Sequence, residues 1–203
     1  MAIISDPALF SATLVASYLL GSLSTAIIVC RVMGLPDPRT TGSKNPGATN
    51  VLRSGGKLAA ALTLLGDSLK GLLAVLAARA LSNDAAVLAA AAGGAFLGHL
   101  FPLYFRLRGG KGVATAFGAV FGLSWITGAL ALLTWVTMML TFRVSSLSAL
   151  ISFALVPLYF WLVEGQLLIT VVLGILSLVL FWRHRDNLRR LLRGEESRVG
   201  SRG

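Results

Sequence analysis

Cysteine is nearly absent. Cys30 is the only one in 203 residues, so no internal disulfide can form, and its place at the end of an apolar run reads as inert packing. Only two histidines occur, and no thiol lies in the polar segments, which excludes a histidine-rich or cysteine metal site. No lysine or arginine precedes Arg31. The first apolar segment therefore lacks the basic start of a cleavable signal and reads as a retained helix. No Ser-His-Asp arrangement can be read from the order of residues, and there is no internal repeat. Acidic residues are few, eight against 18 lysines and arginines, for a net charge of +10. In a soluble chain that balance would suggest nucleic acid. In an apolar chain the better account is basic residues crowding cytoplasmic loops, so no nucleic-acid partner is expected.

What the chain does have is apolar length. It is 56% hydrophobic, with a mean hydropathy of +0.81. Apolar runs of about 18 or more residues recur, as in a polytopic helical membrane protein. They leave no room for a soluble domain, so residues 1–203 read as one integral membrane domain, with 194–203 a mobile tail. Spans are expected at 8–32, 58–81 and 85–104. Residues 113–142 fit either one long span or two short ones, and charge decides. One span would place Arg143 and the arginine-rich tail (Arg183, Arg185, Arg189, Arg190, Arg193, Arg198, Arg202) outside. Two spans, with a turn near Gly122–Gly128, return both to the cytoplasm. The prediction is an all-α protein of seven transmembrane helices, N-terminus outside and C-terminus cytoplasmic. The alternative of six spans breaks the charge rule.

The polar stretches concentrate chemistry. Gly42-Ser43-Lys44-Asn45-Pro46-Gly47-Ala48-Thr49-Asn50-Val51-Leu52-Arg53 gathers two glycines, side-chain donors and two cations. Asn45-Pro46 reads as an N-cap with proline at the first helical position. The stretch fits a phosphate cradle and also fits a solvated loop between membrane helices. A second cationic turn, Arg106-Leu-Arg-Gly109-Gly110-Lys111-Gly112, leads into a helix. It is not a Walker A loop, since Gly112 stands where Ser or Thr is needed, and nucleotide binding is disfavoured. Asp67 and Lys70 share a helix face at membrane depth. They read as a buried structural network or as substrate contacts. Gly21–Thr25 is a patch of small and hydroxyl residues suited to close helix approach or to a polar cavity. Serines 145, 146 and 148 open a helix as caps, and His184 and Asn187 share a face. In this topology all the polar clusters except the Asp67–Lys70 pair fall on the cytoplasmic side, beside helices that offer a slot for a hydrocarbon chain. Two glycine-and-cation loops suggest two phosphates.

The motifs Tyr18–Ser24, Gly42–Arg53, Gly66-Asp67-Ser68-Leu69-Lys70-Gly71, Gly98–Pro102, Gly109–Thr115 and Arg183–Asn187 follow one another in order over essentially the whole chain. In them the chain closely resembles the bacterial acyl-phosphate:glycerol-3-phosphate acyltransferases, the PlsY family. The resemblance implies acyl transfer from acyl phosphate to the 1-position of glycerol 3-phosphate, giving lysophosphatidic acid and phosphate. It implies seven helices in the bacterial inner membrane, a site toward the cytoplasm, no cofactor and no obligate protein partner. By motif, Ser43 and Arg53 would hold a substrate phosphate. Gly42 and Gly47 would shape the loop, and Asn45, Thr49 and Asn50 would line it. Lys111, with Gly109 and Gly110, would bind phosphate or stabilise developing charge. His99 would contact substrate or orient the loops, and His184 and Asn187 would contact glycerol phosphate or its attacking hydroxyl. A hydroxyl from the Ser145–Ser148 segment (Ser145, Ser146 or Ser148) would contribute; the serine spacing departs from the family pattern and leaves open which one. The proton acceptor is either the substrate phosphate or His184. The His-x4-Asp signature of other acyltransferases is absent, so catalysis rests on positioning and charge. A transporter of organic phosphates would use a similar basic pocket but needs a polar path across the membrane. A structural membrane protein has no need of two such loops.

Overall fold

A computed structural model describes residues 6–200, and among them every regular element is helical. The chain divides into two compact units, Met1–Leu123 and Ser124–Gly203.

In the first unit, α1 (Pro7–Gly21) and α2 (Thr25–Val32) form one apolar run broken at Ser22–Ser24. Asp6 caps α1 by accepting from the Leu9 N–H at 2.9 Å, with Pro7 at the first helical position. α3 (Ala48–Leu81) has 34 residues and is interrupted at Gly56, whose φ of 80° is left-handed and suits glycine. The interruption divides a short polar helix from the apolar stretch expected to start near Leu58. α4 (Ala85–Leu100) is capped by Asp84, and a 3₁₀ turn, Leu103–Phe105, follows it. α5 (Val113–Leu123) ends the unit.

Two helix pairs make the core of this unit, α1 with α4 and α3 with α5. Both are packed backbone on backbone. A Cβ at Gly98 would overlap the Tyr18 carbonyl, and one at Gly21 the Ala95 carbonyl. A Cβ at Gly71 would overlap the Thr115 carbonyl, and one at Gly118 the Ser68 carbonyl. Helices approach this closely only where side chains are missing, the usual device between membrane helices. The small residues at Gly21–Ser24 therefore serve close approach, and they also break the helix. The carbonyl that the break leaves at Leu23 accepts from the buried Lys70 ammonium at 2.7 Å. The Tyr18 hydroxyl donates to the Phe101 carbonyl at 2.8 Å, tying α1 to the far end of α4.

In the second unit, α6 (Trp125–Phe142), α7 (Ser145–Glu164) and α8 (Leu167–Arg183) pack in sequence, and α9 (Arg185–Leu192) leaves α8 at a 63° bend. Large side chains fill this unit, among them Phe153, Val156, Phe160, Ile169, Leu173 and Leu180. The Ser152 hydroxyl donates to the Ala131 carbonyl at 2.6 Å between α6 and α7.

The division of residues 113–142 agrees with the charge argument. Ser124 is extended, and its hydroxyl accepts from the Thr127 N–H at 3.3 Å to start α6. Among the described residues, five helices are long and apolar enough to cross a membrane, with α1 and α2 taken together, and a sixth if α8 and α9 are one bent span. α5 has 11 residues. At about 1.5 Å per residue it rises roughly 16 Å, about half a hydrocarbon core. Of the seven helices expected, five or six are long and apolar enough to span, and the pair of short spans expected over 113–142 is seen as α5, a short apolar helix, and α6.

Candidate active site

The Gly42–Arg53 stretch is a loop running into α3. The expected Asn45-Pro46 helix start is not formed. The helix begins at Ala48 with Gly47 as N-cap, because the Asn45 carbonyl already closes a turn with the Gly47 N–H at 2.9 Å. Asn50 organises the loop from the first turn of α3. Its side-chain oxygen accepts from the Ser43 N–H at 2.9 Å, and its amide donates to the Pro38 carbonyl at 2.8 Å and the Thr41 carbonyl at 3.0 Å. At 2% exposed it pins the loop from beneath, while Ser43, Thr49 and Arg53 lie exposed above it. Gly42 at φ 53° and Lys44 at φ 57° carry the left-handed bends, and a Cβ at Gly42 would strike the Asn50 side chain. Thr49 and Arg53 stand four apart on α3 and share a face.

The second cationic loop packs against the first. At Gly109 a Cβ would overlap the His99 carbonyl, and at Gly110 it would strike the His99 ring and come within 3.1 Å of the Pro46 carbonyl. The Gly110 N–H also donates to the His99 carbonyl at 3.2 Å. Both glycines are thus required by close approach, and they bring Lys111 beside the Gly42–Arg53 loop. Gly112, at φ 86°, passes over Phe96 and Leu100 into α5. Each loop leads directly into a helix, so a positive helix end adjoins each one. Asp37 and Arg39 pair at 2.6 Å, and Arg39 reaches the Phe105 carbonyl at 3.4 Å, strapping the two loops together. Hydrogen bonds from Arg39 hold the Asp37 carboxyl below its ordinary pKa.

His99 is the hinge between this surface and a buried ion pair. Its Nδ1 lies 3.5 Å from the Asp67 carboxylate, which holds the Lys70 ammonium at 2.9 Å. The expected Asp67–Lys70 pair is formed, and all three side chains are buried. Their contacts run to the α1–α2 break and the Gly109–Gly110 backbone, so they act as a support under the loops.

The second unit carries the other residues. His184 sits at the α8–α9 bend, 3% exposed, with Nδ1 2.8 Å from the Leu180 carbonyl. A carbonyl only accepts, so Nδ1 carries a proton. Asn187 lies one turn on, as expected. Its amide donates to Glu196 at 2.5 Å, and the Ser146 hydroxyl donates to the same carboxylate oxygen at 2.7 Å. Arg190 pairs with the other oxygen at 2.6 Å. The serines do not cap α7: Val144 is the N-cap, without a side-chain bond. Ser148 bonds back to the Val144 carbonyl at 3.0 Å, so Ser146 is the serine that reaches Asn187's partner, while Ser145 opens the helix beside it.

Glu196 was not among the residues expected to matter. It lies in the stretch expected to be a mobile tail, yet it gathers three side chains, and Val199 N–H donates to the Arg143 carbonyl at 2.7 Å. Burial raises the Glu196 pKa, but the bonds from Asn187, Ser146 and Arg190 outweigh it and the net shift is downward. A carboxylate in an arginine-rich segment was the available signal. Residues 201–203 of that expected tail lie outside the described residues.

Known proteins are similar to this chain in sequence and fold. The family model described as glycerol-3-phosphate acyltransferase matches residues 11–194. The chain belongs to the glycerol-3-phosphate acyltransferase family. Curated members include one from Thioalkalivibrio sulfidiphilus, 54% identical over 194 residues and covering 96% of each chain. One from Methylococcus capsulatus is 53% identical over 186 residues, 92% of this chain and 94% of the other. A crystal structure of PlsY, an integral membrane glycerol 3-phosphate acyltransferase in its glycerol 3-phosphate form, superposes with a TM-score of 0.89 at 33% identity. That match covers 94% of this chain and 96% of the other. The lysophosphatidic acid form of PlsY gives 0.87 at the same identity, with 94% and 95% coverage. The resemblance carried by the motifs is confirmed: this chain is a multi-pass membrane acyltransferase of that family.

Proposed function

We propose that this acyltransferase moves a fatty acyl group from acyl phosphate to the 1-hydroxyl of glycerol 3-phosphate, in bacterial phospholipid synthesis. The observation that carries the reading is the contact at Pro46 and Gly110, where two glycine-and-cation loops meet. Each substrate brings one phosphate, and each loop offers backbone N–H groups, a cation and a helix start. In the reaction the 1-hydroxyl oxygen attacks the acyl carbonyl carbon and the bond from that carbon to the phosphate oxygen breaks. The hydroxyl proton leaves with the acceptor, and phosphate and lysophosphatidic acid are released.

In this reading Ser43 and Arg53 hold one phosphate, with Gly42, Gly47, Asn45 and Thr49 forming its walls and Asn50 fixing their shape. Lys111, presented by Gly109 and Gly110, neutralises charge that grows on the leaving phosphate and the carbonyl oxygen. His99 orients that loop. His184 and Asn187 address the glycerol hydroxyl, and Ser146 and Ser145 add a hydroxyl. An acyl phosphate is already activated, so positioning suffices. The proton goes to the phosphate of glycerol 3-phosphate or to the His184 Nε2. An unchanged shape of the pH–rate profile in His184→Ala would exclude the histidine.

The same reading places the chain in the inner membrane with seven spans, the N-terminus outside and the loops toward the cytoplasm, acting without an obligate protein partner. Of the basic residues in spans and loops, only Arg79 then falls on the outer side. The test is steady-state phosphate release from purified protein in lipid, varying each substrate in turn. Arg53→Ala should raise the KM of one phosphate substrate, and Lys111→Ala should lower kcat. Variants that leave both constants unchanged would overturn the assignment.

A further inference from the structure

A second cationic feature lies beside the two loops. A cavity of ≈ 540 Å³ opens between the segment Arg31–Pro46 and the turn Tyr104–Gly109. Ser43, Arg53 and Lys111 do not line it, although Lys44, Pro46 and Gly109, their chain neighbours, do. Its walls carry Arg31, Arg39, Lys44, Arg106 and Arg108 against one carboxylate, Asp37. That carboxylate is spent. Both of its oxygens bond Arg39, at 3.0 Å from Nε and 2.6 Å from the outer nitrogen. The pair, extended to the Phe105 carbonyl, is a strut across the cavity; Arg31 also feels the Asp37 charge, but Arg39 already matches it. Among the described residues, Arg31, Lys44, Arg106 and Arg108 make no ion pair. Four cations held on facing walls repel one another, and an anion between them removes the repulsion.

The rim indicates what kind of anion. Tyr104 lines the cavity, and Val32, Leu103 and Leu107 are chain neighbours of its lining residues; all four are more than half exposed and interleave along the chain with Arg31, Arg106 and Arg108. Apolar side chains and an exposed tyrosine interleaved with arginines are what a lipid interface selects. Arg106 and Leu107 both hold left-handed backbone, at φ 57° and 58°, which is uncommon away from glycine. The turn keeps this conformation where it sets two arginines, Arg106 and Arg108, on the cavity wall.

We infer that this cavity is a separate binding site for a phosphate group, taken from the headgroup of an anionic membrane lipid. It does not depend on the identity of the acyl donor. Free phosphate offers the same chemistry, and the experiment separates the two sources. The protein, purified in mild detergent, is titrated with phosphatidylglycerol, and retained lipid is counted by native mass spectrometry. Wild type should keep one phosphatidylglycerol per chain in preference to phosphatidylcholine. Arg106→Gln with Arg108→Gln should weaken retention roughly tenfold or more, since each basic side chain near a lipid surface matters appreciably. Arg31→Gln, from the facing wall, should act in the same direction and stands in if the double variant does not fold. Lys57→Gln, away from the cavity, should change nothing. Inorganic phosphate at millimolar concentration that displaces the lipid would assign the site to free phosphate as well. Failure to displace would assign it to the headgroup. Equal retention in wild type, the double variant and Arg31→Gln would overturn the site, as would phosphatidylcholine held as well as phosphatidylglycerol.

Discussion

The two units solve the same packing problem in different ways. In residues 6–123 glycines let helix backbones touch, so α1 lies on α4 and α3 on α5 with carbonyls where side chains would be. In residues 124–200 the helices are held apart by phenylalanine, leucine, isoleucine and valine, and neither Gly165 nor Gly174 has a neighbour within 4 Å of a Cβ position. The contrast extends to charge. The first unit buries an ion pair, Asp67 with Lys70, beneath its loops. The second places a carboxylate, Glu196, near its surface to collect Ser146, Asn187 and Arg190. In the proposed reading, a phosphate cradle of backbone N–H groups needs a backbone that cannot drift, which close glycine packing with a buried support would supply. Side chains that address a hydroxyl would need only local bonds, for which a single carboxylate suffices.

The comparison can be broken from its rigid side first. Asp67→Ala leaves the Lys70 ammonium buried without its carboxylate, and unfolding in detergent should show a loss of about 3–5 kcal/mol. Lys70→Met in the same chain should recover much of that stability. Because Asp67 also supports His99, the recovered double variant should still show a raised KM for a phosphate substrate. Wild-type kinetics there would separate the ion pair from the loops. Next, Gly118→Val drives a side chain into the Ser68 carbonyl, with an expected loss of roughly 1–3 kcal/mol or more. Its counterpart, Gly174→Ala, meets open space and should stay within about 0.5 kcal/mol. Equal effects at the two glycines would remove the distinction drawn here.

Glu196→Gln should cost less, about 1–2 kcal/mol, through weaker bonds to Asn187, Ser146 and Arg190. Its pH signature has a definite sign. The folded pKa is lowered, so the stabilisation is fully present above the unfolded value of about 4.3 and is lost as pH falls through the lower folded value. Thermal unfolding from pH 6 down to pH 3 should show wild type losing its advantage over Glu196→Gln. A constant difference across that range would mean the carboxylate does not gain charge stabilisation on folding.

Much of this was legible because it follows from local pattern. Apolar length gave the helices, and the charge rule split residues 113–142 where Ser124 in fact breaks the helix. Three-residue spacing gave the Asp67–Lys70 pair and the shared turn of His184 and Asn187. Long-range relations were not legible. Asn50 read as a ligand because an asparagine in a polar loop offers donors, yet its three bonds go to Pro38, Thr41 and Ser43. Asn45-Pro46 read as a helix start, but the turn that carries Pro46 to Gly110 prevails over capping preference. Glu196 bonds a serine fifty residues earlier in the chain, and no periodicity reports that. Span length was not legible either: α5 has 11 residues, and charge bias counts crossings and says nothing about length.

The proposed reaction rests on acyl phosphate as the donor, with Lys111 neutralising the charge that grows on its leaving phosphate. The direct measurement supplies purified protein in lipid with glycerol 3-phosphate and either a synthetic long-chain acyl phosphate or the matching acyl-CoA, and follows lysophosphatidic acid over time. Product from acyl phosphate alone, lost in Lys111→Ala and Arg53→Ala, is the predicted result. Product from acyl-CoA at a comparable rate would contradict the account. So would no product from either donor with uptake of glycerol 3-phosphate into sealed vesicles.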